Sequence, residues 1–410
     1  MAVLKANGSF LKANGKILVR PEGGGDFVVI GGKKYQFVQI GRQLWIVYNL
    51  DYSDANIPIG GGLSSSVPKA YYYDQDEATN GWNGRKNNLL YNTNALNYLV
   101  QNSSTIFPNG WRVCRNSDME SLIKFVGGAS VAGTKLSKGD LDWQSASWNG
   151  TNDFGFSWLP GGTRWGSDGR FATIGEEAAL ITIDRFIYYT LGDGKINYQV
   201  LDNSSADLSA SVNIRLCKDA TVNIGGRDYP TTKIGNQIWL AENLDYKFAG
   251  CGIGGSTSYQ STPHAWYYDN DEATYGVSGY KCGLLYNIAA VNYIEQNKSL
   301  LLPEGWHIPS AEEWNTLISN VGGSAIGSPK LRSVSVPYAP SWNGTDDYGF
   351  SASPTGSIYS SDHNFHDISG WANYWTNSIT YCANMSMNKT LGVSYCNVDA
   401  PIAIRLVKDA

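Results

Sequence analysis

The sequence predicts two α+β domains in tandem, each with short helices, small twisted antiparallel sheets and long irregular loops. Three observations lead to this fold class. The 410-residue chain repeats a long stretch of itself. Short amphipathic patterns recur in each copy, and β-rich runs alternate with Gly, Asn and Asp turns. The chain also exceeds the roughly 250–300 residues at which single cores stop growing.

Composition and charge exclude several function classes. The chain is 42% hydrophobic and 16% charged, which is typical of globular rather than disordered proteins. Its formal net charge of −5 gives no basic face, so we expect no nucleic-acid partner. The start, MAVLKANGSF, lacks the apolar region of a signal peptide, and no run approaches the roughly 18 apolar residues of a membrane span. We therefore expect synthesis in a cytoplasm and no membrane insertion.

The internal repeat places the domain boundaries. Matching segments lie about 190 to 195 residues apart, which is far longer than a solenoid period. The clearest pairs are IGGKKYQFVQIGRQLWIVYNLDY (30–52) with IGGRDYPTTKIGNQIWLAENLDY (224–246), SWNGTNDFGFS (147–157) with SWNGTDDYGFS (341–351), and IRLCKDA (214–220) with IRLVKDA (404–410). We predict a duplicated domain, with copies at 27–220 and 221–410.

Residues 1–26 precede the first copy and contain the phrase LKANG twice, at 4–8 and 11–15. Each phrase ends in Asn-Gly, which is a signal for a two-residue hairpin. The glycines at 23–25 indicate a flexible link. We predict a small β element that attaches the protein to a larger assembly, and a disordered leader is the alternative.

Each copy carries two helix signals. Segments 92–102 and 287–297 place apolar residues on one helix face. Further helices are predicted to begin near Ser117 and Ser310, each with a Glu three residues later as a capping box, and to end at Gly-Gly. Runs such as QIWLAEN and IAIRLVKDA predict strands. Long irregular segments are predicted at 157–210 and 352–400, and loops of that length are usually functional.

Four segments of the second copy carry a family resemblance: KIGNQIWLAENLDY, PEGWHIPSAEEW, DDYGFSASPTG and IRLVKDA. In this order they resemble the Fibrobacter succinogenes major paralogous domain, which implies tandem C-type lectin-like domains. The first copy matches in its first two-thirds and at IRLCKDA. GWHIPSAEEW is also similar to formylglycine-generating-type domains, whose essential cysteine pair is not recognisable here. We therefore expect no enzymatic activity.

The composition of residues 359–398 adds a second resemblance. This stretch holds six Asn, four Tyr and six Ser, 16 of its 40 residues. Variable proteins of diversity-generating retroelements place a mutable stretch of similar composition at the end of a C-type lectin-like domain. Many act as receptor-binding tips of bacteriophages or as surface-displayed binders. The resemblance implies a non-enzymatic binding protein for a host-surface protein or glycan, with the first copy as a scaffold.

The predicted ligand-binding surface lies in this stretch, around SDHNFHDISGWANYWTNSITY (361–381). Tyr and Trp give large contact areas at low entropy cost, and the polar side chains give adaptable hydrogen bonds. The predicted contact residues are Tyr359, Asp362, His363, Asn364, His366, Asp367, Trp371, Asn373, Tyr374, Asn377, Tyr381, Asn384, Ser386, Asn388, Tyr395 and Asn397. Trp375 is predicted to belong partly to the core, because the family usually keeps a buried aromatic residue there.

Metal and catalytic interpretations are weaker. The His363–His366 pair lacks an evident third ligand, so we predict no metal site there. The runs DQDEAT (74–79) and DNDEAT (269–274) lack the EF-hand ligand pattern, so capping of the following turn is favoured and calcium remains the alternative. No nucleophile–base motif stands out. We therefore expect no cofactor and no catalytic residues.

The six cysteines have no C-x-x-C spacing, which argues against structural zinc. Cys382 and Cys396 could face each other across a hairpin, but free thiols are the favoured interpretation. The predicted setting is a phage virion, with the N-terminal element on a tail tip or fibre and a homotrimer as one arrangement. The alternatives are a bacterial cell-surface adhesin and an oxidase related to formylglycine-generating enzymes.

Overall fold

The computed structural model describes residues 10–13, 16–19, 26–81, 84, 88–139, 141–145, 148, 150–184, 186–192, 195–201, 210–256, 261–388, 391–397 and 399–410. The chain divides into two compact units, Met1–Asp219 (unit 1) and Ala220–Ala410 (unit 2). Both units combine short helices with small, mainly antiparallel sheets, which confirms the α+β class. Within these ranges, no helix has the length and apolar character needed to cross a membrane.

The elements of unit 1 are short. Its strands are β1 (Phe10–Ala13), β2 (Lys16–Val19), β3 (Phe27–Ile30), β4 (Lys33–Ile40), β5 (Gln43–Ile46), β6 (Ala70–Tyr71), β7 (Leu90–Tyr91), β8 (Arg112–Val113), β9 (Gly161–Arg164), β10 (Phe171–Ile174), β11 (Ala178–Ile181), β12 (Phe186–Gly192), β13 (Lys195–Leu201) and β14 (Leu216–Asp219). Its helices are α1 (Glu77–Asn80), α2 (Thr93–Gln101), α3 (Ser103–Ile106), α4 (Asn116–Phe125) and α5 (Ala129–Leu136). The central sheet has the order β3-β4-β5-β14-β8, and β11-β12-β13 form a separate sheet.

Unit 2 repeats this arrangement. Its strands are β15 (Thr221–Ile224), β16 (Arg227–Ile234), β17 (Gln237–Leu240), β18 (Gly252–Ile253), β19 (His264–Trp266), β20 (Leu285–Tyr286), β21 (Ser357–Ile358), β22 (Phe365–His366), β23 (Trp371–Trp375), β24 (Tyr381–Ser386), β25 (Leu391–Tyr395), β26 (Ile402–Ala403) and β27 (Val407–Asp409). Its helices are α6 (Glu272–Tyr275), α7 (Ile288–Gln296), α8 (Lys298–Leu301), α9 (Ala311–Asn320) and α10 (Ser324–Leu331). A four-stranded sheet, β15-β16-β17-β27, accompanies a seven-stranded sheet, β18-β19-β20-β26-β23-β24-β25.

The amphipathic helices lie where the sequence predicts them. Asn92 and Asn287 cap α2 and α7, and each side chain accepts a backbone hydrogen bond three residues on. Asp76 and Asp271 cap α1 and α6 in the same way, with Thr79 and Thr274 as donors at 3.0 Å. The acidic runs at 74–79 and 269–274 therefore have the capping role predicted for them.

Only one of the two predicted capping boxes is confirmed. In α9, the Glu313 amide donates to Ser310 Oγ at 3.1 Å, and the Ser310 amide donates to Glu313 Oε2 at 2.8 Å. The box assigned to Ser117 is wrong, because α4 already begins at Asn116 with Arg115 as its N-cap. There Asp118 accepts the Arg115 amide at 2.6 Å.

The segments at 157–210 and 352–400 contain regular strands, so the prediction of irregular structure there is wrong in part. Each holds a hairpin, β9–β10 or β21–β22, followed by a three-stranded meander. The strand β23 has buried residues on both sides, with Tyr374 1% exposed and Trp375 fully buried. Because the face that carries Trp371 and Asn373 is covered at Trp375, the end of the strand lacks the two-residue alternation of a half-exposed strand.

Two further strand predictions are confirmed. Strands β1 and β2 pair antiparallel around the second LKANG phrase, whereas the first phrase, at 4–8, lies outside the described residues. QIWLAEN contains β17, and IAIRLVKDA contains β26 and β27. The interruption between β26 and β27 is where Arg405 enters the core.

Arg405 is fully buried in unit 2, where its side chain bonds several segments of the chain. Its Nη1 donates to the carbonyl oxygens of Leu240 at 3.0 Å and Phe350 at 2.6 Å, and its Nε donates to Asn243 Oδ1 at 2.9 Å. Burial lowers the pKa of Arg405. The guanidinium also lies 5.6 Å from the centre of the Tyr374 ring, so it supports the strand that carries the candidate site.

Candidate binding site

An open cavity of about 520 Å³ lies on the surface of unit 2. Five of its lining residues are predicted contact residues: Tyr359, Asp367, Trp371, Asn373 and Asn397. The other lining residues are Ser357, Ser360, Ser361, Cys382, Cys396, Ala400 and Ile402. The structure thus brings together side chains that are up to 45 positions apart in the sequence.

One wall of the cavity is a face of the seven-stranded sheet. Strand β23 pairs antiparallel with β24, with Asn373 opposite Asn384 and Trp375 opposite Cys382. Successive side chains of a strand point to opposite faces, so Trp371 and Asn373 share one face. Side chains directly opposite one another in the ladder also share a face, which places Cys382 on the same wall.

The hairpin β21–β22 forms a second wall. The Tyr359 amide donates to the Asn364 carbonyl oxygen at 3.0 Å, and the His363 amide donates to the Tyr359 carbonyl oxygen at 2.9 Å. His363 has a φ of 58°, a left-handed conformation in which Asn, Asp and His are enriched among non-glycine residues. This tight turn holds the Tyr359 ring against the His366 ring, with 4.2 Å between the ring centres.

Charged groups cluster at the same hairpin. Tyr359 Oη donates to Asp367 Oδ2, and this bond to a carboxylate raises the pKa of Tyr359. Asp362 accepts the Asn364 amide at 3.0 Å and pairs with His366 Nε2 at 2.8 Å, and these two bonds lower the pKa of Asp362. Among the described lining residues, Asp367 is the only acidic or basic side chain.

The segment after β25 completes the rim. Asn397 Nδ2 donates to Ser360 Oγ at 3.2 Å, and Asn397 Oδ1 accepts the Asp399 amide at 3.2 Å. The Ile358 amide donates to the Pro401 carbonyl oxygen at 3.3 Å. These bonds link the end of the chain to the hairpin, so the cavity is bounded by regular strands and hydrogen-bonded turns.

The remaining predicted residues lie around the cavity or farther along the meander. Asp362, His363, Asn364, Asn377, Asn388 and Tyr395 are exposed, whereas His366, Tyr381 and Asn384 are half-buried. Tyr381 and Tyr395 stack with 5.0 Å between ring centres, and Asn384 Nδ2 donates to Ser394 Oγ at 2.7 Å. These side chains extend the polar and aromatic surface beyond the cavity.

Two predicted contact residues are corrected by the structure. Tyr374 is 1% exposed and stacks on Trp314, with 5.3 Å between ring centres. It points to the face opposite Trp371 and Asn373, which is the core face. Ser386 is also 1% exposed, opposite Trp371 in the ladder. Trp375, predicted to be partly in the core, is entirely buried.

Sequence reasoning missed seven lining residues. Ser357, Ser360 and Ser361 belong to the hairpin, and their signal was the Ser-rich run before His363. Cys382 faces the cavity because it lies opposite Trp375 in the ladder. This register between strands cannot be read from amino-acid composition. All six cysteines are free in the structure, in agreement with the favoured interpretation.

The histidines of the hairpin have protein partners. His366 pairs with Asp362, and within the described ranges no group of three or more His, Cys, Asp or Glu residues is arranged to hold a metal ion. The expected absence of a metal stays a prediction.

Unit 1 carries an equivalent hairpin with different chemistry. Phe171 packs on Tyr73 at 5.2 Å, as Phe365 packs on Tyr268 at 5.1 Å, so the scaffold is repeated. At the tip, Trp165 is 47% exposed, and the Arg170 guanidinium lies 5.2 Å from the centre of its ring. This exposed aromatic residue of the first copy was also missed.

Comparison with known proteins agrees with the repeat. The model of the Fibrobacter succinogenes major domain matches residues 38–185 and 232–408, which together make up far more than half of the chain. No curated protein and no solved structure matches the chain. The predicted tandem arrangement is therefore confirmed, and the chain belongs to the Fibrobacter succinogenes major domain family, with two copies of the domain.

Proposed function

We propose that this protein is a non-enzymatic binding protein that holds its ligand in the cavity of unit 2. The observation that carries the proposal is the cavity itself, in which partly exposed aromatic rings and polar side chains converge on one face of a regular sheet. Tyr359 and Trp371 are each 39% exposed. Rigid aromatic rings beside adaptable polar groups are the usual chemistry of a recognition surface.

The lining favours a neutral polar ligand, and the end of a host-surface glycan fits it best. Aromatic faces can stack on the apolar face of a sugar ring, and Ser and Asn side chains can hydrogen-bond its hydroxyl groups. The carboxylate of Asp367 would oppose an anionic sugar, because like charges repel. The open mouth suits the end of a longer chain, and a host-surface protein is the other outcome to be tested.

The biological setting that we propose is host attachment by a phage tail. The Asn-, Tyr- and Ser-rich composition of 359–398 supports it, because diversity-generating retroelements enrich these residues in receptor-binding proteins. The paired strands β1 and β2 precede both domains and provide a segment for attachment to a larger assembly.

The test is binding of the purified full-length chain to an array of neutral and acidic glycans and to host cells. We expect selective binding to neutral glycans. Trp371→Ala should weaken binding by about tenfold or more, as expected for an aromatic anchor. Trp165→Ala is the matched control, because this exposed indole lies on the equivalent hairpin of unit 1 and should leave binding unchanged.

One other result would change the proposed class of ligand, and another would rule out the cavity as the binding site. Binding to cells that persists after enzymatic removal of glycans would make the ligand a protein. If Trp371→Ala binds as well as the unmodified chain, the cavity is not the binding site.

A further inference from the structure

Two cysteines in the wall of the cavity form a pair that the binding function does not use. Cys382 lies opposite Ser394 in the β24–β25 ladder, and Cys396 lies two residues beyond Ser394. The Cys396 amide donates to the Thr380 carbonyl oxygen at 2.9 Å, which keeps the end of β25 beside the start of β24. Cys396 itself follows the last residue of the strand, where the ladder no longer fixes its backbone.

Both cysteines line the cavity, which gives small solutes access to them. They also share a packing environment, since Cys382 belongs to a core cluster and Cys396 packs against it. The Cys396 thiol donates to the Asn397 carbonyl oxygen at 3.9 Å. The interaction between the two neighbouring thiols lowers the pKa of Cys382 and raises that of Cys396. Because the thiolate is the nucleophile of cysteine, Cys382 is the member that reacts first.

We propose that Cys382 and Cys396 are a redox-active dithiol that a low-molecular-weight disulfide, such as glutathione disulfide, converts to an intramolecular disulfide. The Cys382 thiolate attacks one sulfur of the small disulfide, whose S–S bond breaks and releases one small thiol after protonation. Cys396 then loses its proton, and its thiolate attacks the Cys382 sulfur and releases the second small thiol. The protein dithiol loses two electrons and two protons, and the small disulfide gains them as two thiols.

The other four cysteines are not among the residues that line the cavity, and their pKa values are raised. Cys114 and Cys217 are fully buried, and burial raises the pKa of both. Burial also raises the pKa of Cys251 and of Cys282 to about 12. The reaction is therefore selective for the cavity pair. It would lock the end of β25 to β24 when the protein passes from reducing to oxidising surroundings.

The sequence offers a direct readout, because Lys389 lies between the two cysteines. The full-length native chain is incubated with glutathione disulfide, blocked with iodoacetamide, unfolded, and digested with trypsin without reduction. Trypsin would place Cys382 in peptide 333–389 and Cys396 in peptide 390–405. We expect these two peptides to appear joined, and the intact mass to fall by two hydrogens with no glutathione retained.

Two variants sharpen the result. Cys396→Ser should retain one glutathione at Cys382, because the resolving thiol is missing, whereas Cys251→Ser should leave the cross-link unchanged. A native chain that carries a separate glutathione on each cysteine, or that leaves both unmodified, would overturn the proposal. The measurement uses no ligand, so its outcome is independent of the proposed binding function.

Discussion

At the residue scale, the direction of single side chains on β23 decides what the strand does. Trp371, Asn373 and Tyr374 belong to one polar-aromatic run, and composition alone assigns all three to the same surface. The alternation of the strand instead sends Trp371 and Asn373 to the cavity and Tyr374 to the core. Cavity-lining and packing residues are therefore interleaved along a few positions.

This division predicts unequal losses of stability when these neighbouring aromatic residues are replaced. Tyr374→Ala should lower the free energy of unfolding by roughly 3–5 kcal/mol, because it removes a fully packed ring. Trp371→Ala should cost about 1 kcal/mol or less, because its ring is 39% exposed. Urea denaturation followed by fluorescence or circular dichroism measures both values.

Tyr374→Phe is the control, since its ring can still stack on Trp314 and should keep most of the stability. If Tyr374→Ala abolished ligand binding while leaving the free energy of unfolding unchanged, Tyr374 would be a contact residue after all.

At the element scale, the start of α9 contains an ion pair that responds to pH. His307 Nε2 lies 2.7 Å from Glu313 Oε1, and its bond to Glu313 raises the pKa of His307 above its ordinary 6.5 despite partial burial. For Glu313, burial works to raise the pKa, but the bonds from His307 and the Ser310 amide outweigh it and lower the pKa below its ordinary 4.5.

These two pKa shifts predict the pH range in which the ion pair stabilises unit 2 most. A raised histidine pKa contributes stability that is complete below pH 6.5 and is lost as the pH rises through the folded pKa. A lowered carboxyl pKa contributes stability that is complete above pH 4.5 and is lost as the pH falls through the folded pKa. The full effect of the pair therefore lies between about pH 4.5 and 6.5, and melting temperatures across this range and up to pH 9 measure it.

Unit 1 supplies the matched control for this experiment. At the equivalent position, Arg112 Nη2 donates to Asp118 Oδ1 at 2.9 Å, and an arginine keeps its charge throughout the range. His307→Arg should therefore keep the stabilisation and prevent its loss above pH 6.5. His307→Gln should remove the stabilisation and, with it, the dependence on pH. An unchanged pH profile in His307→Gln would show that the pair contributes nothing measurable.

The same elements show what the sequence could predict. The caps at Asn287 and Ser310 are local, because the side chain and the amide it bonds lie three residues apart, so their pattern is visible in one sequence. The cavity depends on register between distant strands, such as Trp375 opposite Cys382, and on the turn that brings Asp367 to Tyr359. Composition indicated the stretch that contributes most of the candidate site, but not which of its side chains face the cavity.

At the scale of the whole molecule, duplication has kept one internal frame and changed the surface placed on it. Arg215 of unit 1 repeats the bonds of Arg405, with Nε donating to Asn49 Oδ1 at 2.8 Å and Nη1 donating to the carbonyl oxygens of Ile46 at 2.9 Å and Phe156 at 2.7 Å. A buried arginine is costly to desolvate, and these bonds offset that cost.

This repetition predicts that the two arginines are equally important for folding but unequally important for binding. Arg215→Lys and Arg405→Lys should each destabilise their own unit by about 3 kcal/mol or more, because an ammonium group cannot satisfy the carbonyls that the guanidinium reaches. Each core cluster is built from residues of one unit alone, so hydrogen exchange should increase only in peptides of the altered unit.

Because the cavity lies wholly in unit 2, Arg405→Lys should weaken ligand binding and Arg215→Lys should not. Equal losses of binding in the two variants would contradict the assignment of the ligand site to the second copy.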